Sequence, residues 1–390
     1  MDWRVPLADL DYDQEEEEVV LDVLRRRWLT MGSITEAFEE EFAAYHEAIY
    51  ALAISNATQA LHLACLALDI GPGDEVLVPS LTFVATTNAV LYCGARVRFV
   101  DITGADDLNI SPDEIERQIT PQCKAIIVVH YGGYPCQMSR ILELAARFKL
   151  AVIEDAAHAP GASYAGKPLG TWGDVGCFSF FSNKNLSTGE GGMLVTNREE
   201  IFQQVRLLRS HGMTSLTWDR HRGHAHSYDV VALGYNYRID EIRSALGRVQ
   251  LKKLEKNNAR REKITRRYWA GFADTTLGLP FTATEGKPAY HIFPILLPEN
   301  VDRKAFIDLM RSLGIQTSIH YPPIHLFRYY RDRYPGVSLP RTEQIAAREV
   351  TLPLYPTMTD GQVDEVIDGV KTSLTAHAPV KRVRGKLTKY

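Results

Sequence analysis

Three segments of the sequence place polar and potentially reactive side chains directly after short apolar runs. Asp155 closes the run AVIED and is followed by His158, whereas Lys184 lies in the polar, glycine-rich segment SNKNLSTGEGG, after an apolar run that contains Ser179. The segment SNATQ, residues 55–59, begins a helical pattern after a third apolar run. A carboxylate that closes an apolar strand is costly to bury unless a cation pairs with it, and free amides at a helix start can bind phosphate. These residues could hold a phosphate-bearing ligand beside a lysine, although a strand-end acid, a solvated lysine and an N-cap would also explain them singly.

The elements that would position these residues are strands that alternate with helices. Short apolar or β-branched runs predict strands at residues 51–54, 75–79, 97–100, 125–129, 151–155, 177–181 and 192–196. Helical patterns cover residues 58–68 and begin again near Phe83, and Ser33 with Glu36 predicts a capping box ahead of another helix. This alternation predicts an α/β fold with a mostly parallel central sheet and helices on both faces. Open sheets of this kind bind ligands at the carboxyl ends of their strands.

The last third of the chain has a different pattern. A long helical pattern covers residues 239–268, and the segments that follow predict a strand at 291–296, a helix at 303–313, a strand at 316–319 and a closing helix from about 360. We therefore predict a large α/β domain over residues 15–250 and a small C-terminal α+β domain over residues 251–376, on which residues 1–14 pack. The basic tail, residues 377–390, is expected to be disordered, with an anion-binding arm as the alternative.

The composition narrows the class of protein. The chain has 390 residues, of which 45% are hydrophobic and 24% charged, and its net charge is -4. This balance is that of a globular protein and gives no reason to expect a nucleic-acid partner. The acidic N-terminus lacks the pattern of a signal peptide, and no apolar stretch approaches the length of roughly 20 residues that spans a membrane. Five scattered cysteines without a C-x-x-C pair predict reduced thiols, and we expect a cytoplasmic protein.

Two other motifs have simpler explanations. The segment from Gly161 to Pro168 nearly matches a phosphate-binding loop, but Pro168 stands where a hydroxyl would hold Mg²⁺, so we predict a hairpin that turns at Ala165 and Gly166. Three histidines crowd together without helical spacing or a neighbouring Cys or Glu, and we expect an exposed loop and no metal site; they are His221, His224 and His226. No G-x-G-x-x-G follows a predicted strand, which argues against dinucleotide binding.

Long blocks of the sequence resemble one family. The block EDAAHAPGASYAGKPLGTWGDVGCFSFFSNKNLSTGEGGMLVTN resembles the core of the nucleotide-sugar aminotransferases of the DegT/DnrJ type, a branch of the fold-type I enzymes that use pyridoxal 5'-phosphate (PLP). SNATQALHLACLALDIGPGDEVLVPSLTFVATTNAV and LGYNYRIDEIRSALGRVQL are similar to flanking blocks, and HYPPIHLFRYYRDRYPGVSLP with TLPLYPTMTD is similar to the C-terminal part. The resemblance covers residues 5–374 and extends to enzymes that aminate 4-keto sugar nucleotides.

The resemblance implies a role for each candidate residue. Lys184 would form the Schiff base with PLP and move protons, and Asp155 would pair with the pyridinium nitrogen and keep it protonated. His158 would contact the ring hydroxyl, and Phe83 would stack on the ring, although either could be an ordinary core residue. The phosphate would be contacted by Thr58, Gln59 and Ser179, and by Asn236 from the second subunit of a homodimer. His320 and His325 would contact the substrate, although either could instead cap the small domain.

The resemblance also implies the reaction. An amino group would pass from L-glutamate or glutamine to a keto sugar nucleotide, in particular a 4-keto-6-deoxy or related 4-keto sugar, and the cofactor would alternate between PLP and pyridoxamine 5'-phosphate (PMP). Cyclitol amination remains open because it changes only the acceptor pocket. Sugar dehydratases with this fold carry histidine where Lys184 stands, and a non-catalytic binding homologue would be favoured by loss of Lys184 or Asp155, so the residues present disfavour both alternatives.

Overall fold

Short apolar runs form the strands that carry the candidate site residues. The structure, a computed structural model, describes residues 3–215, 223 and 227–376. Its strands are β1 Tyr50–Ile54, β2 Glu75–Pro79, β3 Arg96–Val100, β4 Cys123–Val129, β5 Ala151–Asp155, β6 Ser163–Tyr164, β7 Lys167–Pro168, β8 Val175–Ser179, β9 Gly192–Thr196, β10 Phe293–Leu296 and β11 Glu349–Leu352. All seven strands predicted in the first two-thirds of the chain are present, so the short apolar or β-branched runs predicted them correctly.

The helices follow the strands in the predicted alternation. They are α1 Gln14–Arg26, α2 Ser33–Tyr45, α3 Ala57–Ala67, α4 Val84–Tyr92, α5 Pro112–Gln118, α6 Met138–Phe148, α7 Glu199–Leu208, α8 Glu241–Phe272, α9 Arg303–Ser312, α10 Arg328–Arg333, α11 Pro340–Ala346 and α12 Asp360–Ala376. Within the described ranges, none of these helices is both long enough and apolar enough to cross a membrane.

The central sheet has seven strands in the order β1-β9-β8-β5-β4-β2-β3. All neighbouring pairs are parallel except those of β9, which runs antiparallel to both β1 and β8. Asp155 is at the end of β5 and pairs in register with Cys177 of β8, while Val129 at the end of β4 lies opposite Asp155 on the other side. The carboxyl ends of β4, β5 and β8 therefore meet at one edge of the sheet, where open α/β folds bind ligands.

Helices cover both faces of this sheet because successive side chains of a strand point to opposite faces. Leu52 and Ile54 of β1 pack in one core cluster with residues of α3, α4 and α7. Ala51 and Ala53 pack in a second cluster with residues of α2 and α8, and the matching face of β4 packs with α5 and α6. The predicted mostly parallel sheet with helices on both faces is thus confirmed.

A second, antiparallel sheet of two strands, β10 and β11, lies in the last third of the chain. Its core cluster includes residues of α9 and α12, the second half of α8 and Val5 of the N-terminal segment. The first half of α8 packs instead against the core of the central sheet, through Leu251 and Leu254. One continuous helix therefore runs through the predicted domain boundary at residues 250 and 251, and that boundary stays a prediction.

The capping box predicted for Ser33 and Glu36 is wrong. Helix α2 has Gly32 as its N-cap, without a hydrogen bond from a side chain at that position. The buried carboxylate of Glu241, at the start of α8, accepts hydrogen bonds from the backbone N–H groups of Gly32 and Thr35 instead, at 2.8 and 2.9 Å. A residue more than 200 positions away in the sequence therefore satisfies the helix start, which local spacing cannot reveal.

The strand predicted at residues 316–319 is also wrong. The chain there makes single bridges to two different partners, from Ile315 to Val5 and from Ser318 to Thr351, so no continuous ladder forms. The hairpin predicted in place of a phosphate-binding loop is confirmed, since β6 pairs with β7 across a turn at Ala165 and Gly166. The crowded histidines, His221, His224 and His226, and the tail at residues 377–390 lie outside the described residues.

Candidate active site

A cleft of about 500 Å³ opens at the carboxyl ends of the central strands. Seven of the ten residues predicted for the site line it, namely Thr58, Phe83, Asp155, His158, Ser179, Lys184 and His320. Gln59, Asn236 and His325 do not. The cleft also contains polar residues without a predicted role, among them Asn56, Thr82, Asn183, Glu190 and Tyr321.

Asp155 is a buried carboxylate at the floor of the cleft. Thr86 donates a hydrogen bond from its hydroxyl to Oδ2 at 2.7 Å, and the backbone N–H of Ala157 donates to Oδ1 at 3.2 Å. Burial raises the pKa of Asp155, although these hydrogen bonds and the charge of Lys184 oppose the shift. Within the described part of the chain no cation lies within 4.0 Å of this carboxylate, so its charge is open to a cationic group of a ligand.

Lys184 lies in the loop between β8 and β9 and is partly buried at the cleft wall. Burial lowers the pKa of its amine to about 8, and the negative charge of Asp155 limits the shift. An ordinary lysine is almost fully protonated at neutral pH. The lowered pKa makes the neutral amine, which is the nucleophilic form, available to a carbonyl compound in the cleft.

His158 is held in one tautomer by its two neighbours. The backbone N–H of Gly132 donates to Nδ1 at 3.2 Å, so Nδ1 carries no proton. Burial lowers the pKa of His158 well below its ordinary value, and the neutral ring therefore carries its proton on Nε2. Nε2 lies 3.1 Å from the hydroxyl of Tyr321, which accepts this hydrogen bond and keeps its own proton for another acceptor. With the N–H of His158 donated to Tyr321, the O–H of Tyr321 is the group of this pair that can donate to a ligand in the cleft.

Part of the cleft wall is formed by the start of helix α3. Asn56 caps the helix, because its side-chain oxygen accepts from the backbone N–H of Gln59 at 3.0 Å. Gly192 at the start of β9 packs against this turn: a Cβ atom there would lie 2.7 Å from the carbonyl carbon of Asn56. Thr58 and Ser179 add hydroxyl groups to the cleft wall. A helix start with nearby hydroxyls suits a phosphate group.

Gln59 and Asn236 are placed differently from the residues of the cleft. The side-chain oxygen of Gln59 is buried without a hydrogen-bond partner in the described part of the chain. Asn236 is exposed, two positions before Arg238, which bridges to Ile54 at the end of β1. The phosphate contacts predicted for both residues remain predictions, and that of Asn236 requires a second subunit.

Phe83 and the two candidate substrate histidines occupy three different environments. Phe83 lines the cleft with 57% of its surface exposed, so it is not a core residue. His320 lines the cleft as well. His325 is buried between Ser80, which lies 2.7 Å from Nδ1, and Glu343, which lies 3.1 Å from Nε2. Both ring nitrogens of His325 therefore have partners within the protein, and its predicted contact with the substrate stays a prediction.

Sequence reasoning missed Thr86 and Tyr321. Thr86 follows Phe83 by three positions, and this spacing places both residues on one side of the first turn of α4, which is a signal that the sequence contains. Tyr321 is next to His320 in the sequence, but it contacts His158, which is 163 positions away. No local sequence pattern predicts that contact.

Known proteins resemble this chain over nearly its whole length. The profile of the DegT/DnrJ/EryC1/StrS aminotransferase family matches residues 10–371. SpsC of Bacillus subtilis, a spore coat polysaccharide biosynthesis protein, is 39% identical over 366 residues, which cover 92% of this chain and 94% of SpsC. PseC of Helicobacter pylori, an aminotransferase involved in the biosynthesis of pseudoaminic acid, is similar in structure with a TM-score of 0.90 and 28% identity, and the match covers 96% of this chain and 100% of PseC.

A further structural neighbour identifies the cofactor. Spr1654 of Streptococcus pneumoniae, a putative sugar aminotransferase, has structures of a PLP-form and a PMP-form. Each is similar to this chain with a TM-score of 0.89 over 96% of this chain and 100% of Spr1654, and the identities are 29% for the PLP-form and 28% for the PMP-form. The residues of the cleft fit this cofactor: Asp155 is a buried carboxylate without an ion pair in the described residues, and Lys184 has an amine with a lowered pKa. The cofactor is PLP, with PMP as its aminated form. The chain belongs to the DegT/DnrJ/EryC1/StrS family of PLP-dependent sugar aminotransferases.

Proposed function

We propose that this enzyme transfers an amino group from L-glutamate or glutamine to a keto sugar nucleotide, with a 4-keto-6-deoxy or related 4-keto sugar as the acceptor. The observation that carries the proposal is the pairing, in one cleft, of a lysine whose pKa is lowered to about 8 with a buried carboxylate that has no ion-pair partner among the described residues. Bound PLP supplies the aldehyde that carries the amino group and a ring that accepts electrons from the reacting carbon.

Four residues of the cleft would act on the ring of the cofactor. Lys184 would hold the cofactor through Nζ and, once its amine is free, carry a proton at that atom. Asp155 would hold the proton on the pyridine nitrogen, and the hydrogen bonds from Thr86 and Ala157 keep its carboxylate in place. His158 would donate from Nε2 toward the ring hydroxyl, or keep the Tyr321 hydroxyl in position to do so. Phe83 would cover the ring from the exposed side.

The phosphate of the cofactor would lie at the start of α3. Thr58 and Ser179 would donate hydrogen bonds from their hydroxyls, and the first backbone N–H groups of the helix would face the anion. Gln59 on α3 would also contact the phosphate, after its side chain, whose oxygen is buried, has rearranged.

The choice of acceptor rests on similarity and on the size of the site. A cleft of about 500 Å³ is within the size range of small-molecule sites, and relatives act in the biosynthesis of spore coat polysaccharide and of pseudoaminic acid. The test is a panel of 4-keto and 3-keto sugar nucleotides, each incubated with the holoenzyme and ¹⁵N-labelled glutamate or glutamine. We expect mass spectrometry to detect a ¹⁵N-labelled amino sugar nucleotide from a 4-keto substrate. Turnover of a cyclitol ketone alone would refute the proposed substrate class.

We further propose that the enzyme is a homodimer with shared active sites and that it acts in the cytoplasm. Asn236 follows a segment with several exposed apolar side chains, of which Leu233 is 88% exposed, and such surface is stabilised when a second subunit covers it. All five cysteines are free thiols, which suits a reducing compartment.

Mixing two inactive variants tests the shared site. Lys184→Ala and Asn236→Ala are combined and their subunits allowed to exchange. If Asn236 acts in the partner's site, one site in each heterodimer has both residues intact and activity returns. If mixing restores nothing although Asn236→Ala alone is inactive, Asn236 acts within its own subunit. Should Asn236→Ala remain active, a fully active monomer at low concentration would refute the shared site.

A further inference from the structure

Behind the cleft, three side chains form a buried chain of hydrogen bonds. His320 Nδ1 lies 2.8 Å from the hydroxyl of Thr351, and this hydroxyl lies 2.5 Å from Oε1 of Glu349. The other carboxyl oxygen of Glu349, Oε2, accepts a hydrogen bond from the backbone N–H of His320 at 2.8 Å. Glu349 and Thr351 are each 1% exposed and are on β11, whereas His320 lines the cleft.

Among the described residues, no cationic side chain forms an ion pair with the carboxylate of Glu349. Tyr131 and Tyr321 are close enough for the charge of Glu349 to raise their pKa values. Arg303 donates to the backbone carbonyl oxygen of Glu349, and its positive charge opposes the rise in the pKa of Glu349, but it forms no ion pair with the carboxylate among the described residues. Burial of this kind disfavours the ionised form of a carboxyl group and raises its pKa.

The hydrogen-bond partners leave the chain two arrangements. Oε2 of Glu349 must accept, because a backbone N–H can only donate. When Glu349 is ionised, Oε1 accepts from the Thr351 hydroxyl, whose oxygen then accepts from Nδ1–H of His320. When Glu349 is protonated on Oε1, it donates to Thr351, and the Thr351 hydroxyl donates to a bare Nδ1. In a neutral ring the proton then lies on Nε2.

We propose that Glu349 determines, through the hydroxyl of Thr351, which ring nitrogen of His320 carries the proton, and thereby whether His320 presents a hydrogen-bond donor or an acceptor to the active-site cleft. Glu349 and Thr351 are positioning residues in this scheme, because neither lines the cleft that holds Lys184.

The free nitrogen of His320 is the one that a substrate would meet. Nε2 has no hydrogen-bond partner among the described residues, and the ring lies at the cleft wall near enough to Lys184 for the lysine charge to affect its pKa. Burial lowers the pKa of His320 to about 4, so the ring is neutral at working pH, and burial raises the pKa of Glu349 to about 8. Both arrangements are therefore populated near neutral pH. A substrate carbonyl or carboxylate would bind the donor form, and a hydroxyl or ammonium group would bind the acceptor form. This recognition role rests on the proposed function, whereas the tautomer does not.

Glu349→Gln separates the two arrangements without a change of shape. The amide oxygen must occupy the Oε2 position to accept from His320 N–H, which places the amide nitrogen against Thr351. The glutamine therefore donates to Thr351 at every pH, as protonated Glu349 does. The control is Thr351→Val, which keeps a β-branched side chain but removes the hydroxyl that connects residue 349 to His320.

The test measures the ring-nitrogen shifts of ¹⁵N-histidine-labelled holoenzyme by solid-state NMR, with the His320 signals identified by their loss in His320→Asn. Spectra are recorded at about pH 6.5 and about pH 9.5, on either side of the Glu349 pKa of about 8. In the wild-type protein we expect the proton on Nε2 at the lower pH and on Nδ1 at the higher pH. Glu349→Gln should keep it on Nε2 at both. Thr351→Val should show one tautomer at both pH values, whether residue 349 is Glu or Gln.

An unchanged His320 tautomer in the wild-type protein across this range, or the same pH-dependent exchange in Glu349→Gln, would overturn the inference. Because the readout uses the resting holoenzyme and no sugar, it remains valid if the acceptor proposed above is wrong. A variant that fails to bind PLP is recognised by its absorbance spectrum, and Glu349→Asp with Thr351→Ser then provides a second pair. Thr351→Ser keeps the hydroxyl and the carboxyl group in place, so the proton of His320 should still move between Nδ1 and Nε2 with pH. Glu349→Asp shortens the side chain and withdraws the carboxyl group from Thr351, so this movement should be lost.

Discussion

Replacing Asp155 by asparagine separates the folding role of this residue from its proposed role toward the cofactor. The asparagine oxygen can accept from Ala157 N–H as Oδ1 does, and its nitrogen can donate to Thr86, whose hydroxyl can turn toward Thr82 at 3.1 Å. The two hydrogen bonds of Asp155 therefore persist with one direction reversed. We expect the cofactor-free variant to fold.

The direction of the stability change follows from the pKa of Asp155. Burial raises this pKa in the folded, cofactor-free protein, so the ionised carboxylate disfavours folding there, and its cost increases as the pH rises above the unfolded value. Asparagine removes that cost. The melting temperature of the cofactor-free variant at neutral pH should therefore equal or exceed that of the wild-type protein.

Cofactor binding should change in the opposite direction. A hydrogen bond to a charged group contributes about 1.5 to 3 kcal/mol, and its loss corresponds to PLP affinity that is about 10- to 150-fold weaker. Turnover at saturating PLP should fall by at least the same factor, since an amide cannot keep the pyridine nitrogen protonated. The measurements are thermal unfolding, absorbance titration with PLP and amino transfer, with Thr86→Val as a control that keeps the carboxylate. If PLP affinity and turnover stay within about twofold of wild type, Asp155 is only a strand-end residue.

Three further predictions follow from the same structure. Because burial lowers the pKa of Lys184 to about 8, capture of PLP by the cofactor-free enzyme should accelerate as the pH rises through 8 and then level off; a rise centred near the ordinary lysine value would contradict this. Phe83→Ala should leave the melting temperature nearly unchanged, since the side chain is 57% exposed. It should weaken PLP binding by about 0.5 to 1.5 kcal/mol in an absorbance titration, and an unchanged affinity would show that the Phe83 ring does not stack on the cofactor. Glu241→Ala should reduce the free energy of unfolding, measured by urea denaturation, by more than about 2 kcal/mol, because the N–H groups of Gly32 and Thr35 lose their acceptor. A smaller loss would mean that water replaces the carboxylate as the acceptor.

The fold could be predicted from the sequence where periodicity is local. The strands and helices of the first two-thirds alternate with clear apolar patterns. Buried runs such as AVIED mark the strand ends beside the cleft that Asp155 and Lys184 line. The failures have tertiary causes. The start of α2 is satisfied by Glu241 from a distant helix, and the segment at residues 316–319 divides its hydrogen bonds between two partners.

The site could be predicted only in part, because several of its residues meet through the fold and not through spacing. His320 and His325 lie five positions apart in one segment, yet the first lines the cleft and the second is enclosed by Ser80 and Glu343. The Glu349 carboxyl group accepts directly from the backbone N–H of His320, 29 positions away, and reaches the ring of His320 through the hydroxyl of Thr351. No sequence pattern marks these contacts.

Borohydride reduction of the holoenzyme tests the central claim most directly. The claim is that Lys184, beside the buried Asp155, is the residue that binds PLP covalently. Reduction makes such a bond permanent, and peptide mapping by mass spectrometry then locates the pyridoxyl group. We predict the label on the peptide that contains Lys184. A label on Lys167, which lies at the exposed β6–β7 hairpin, or labelling that persists in Lys184→Ala, would contradict the account.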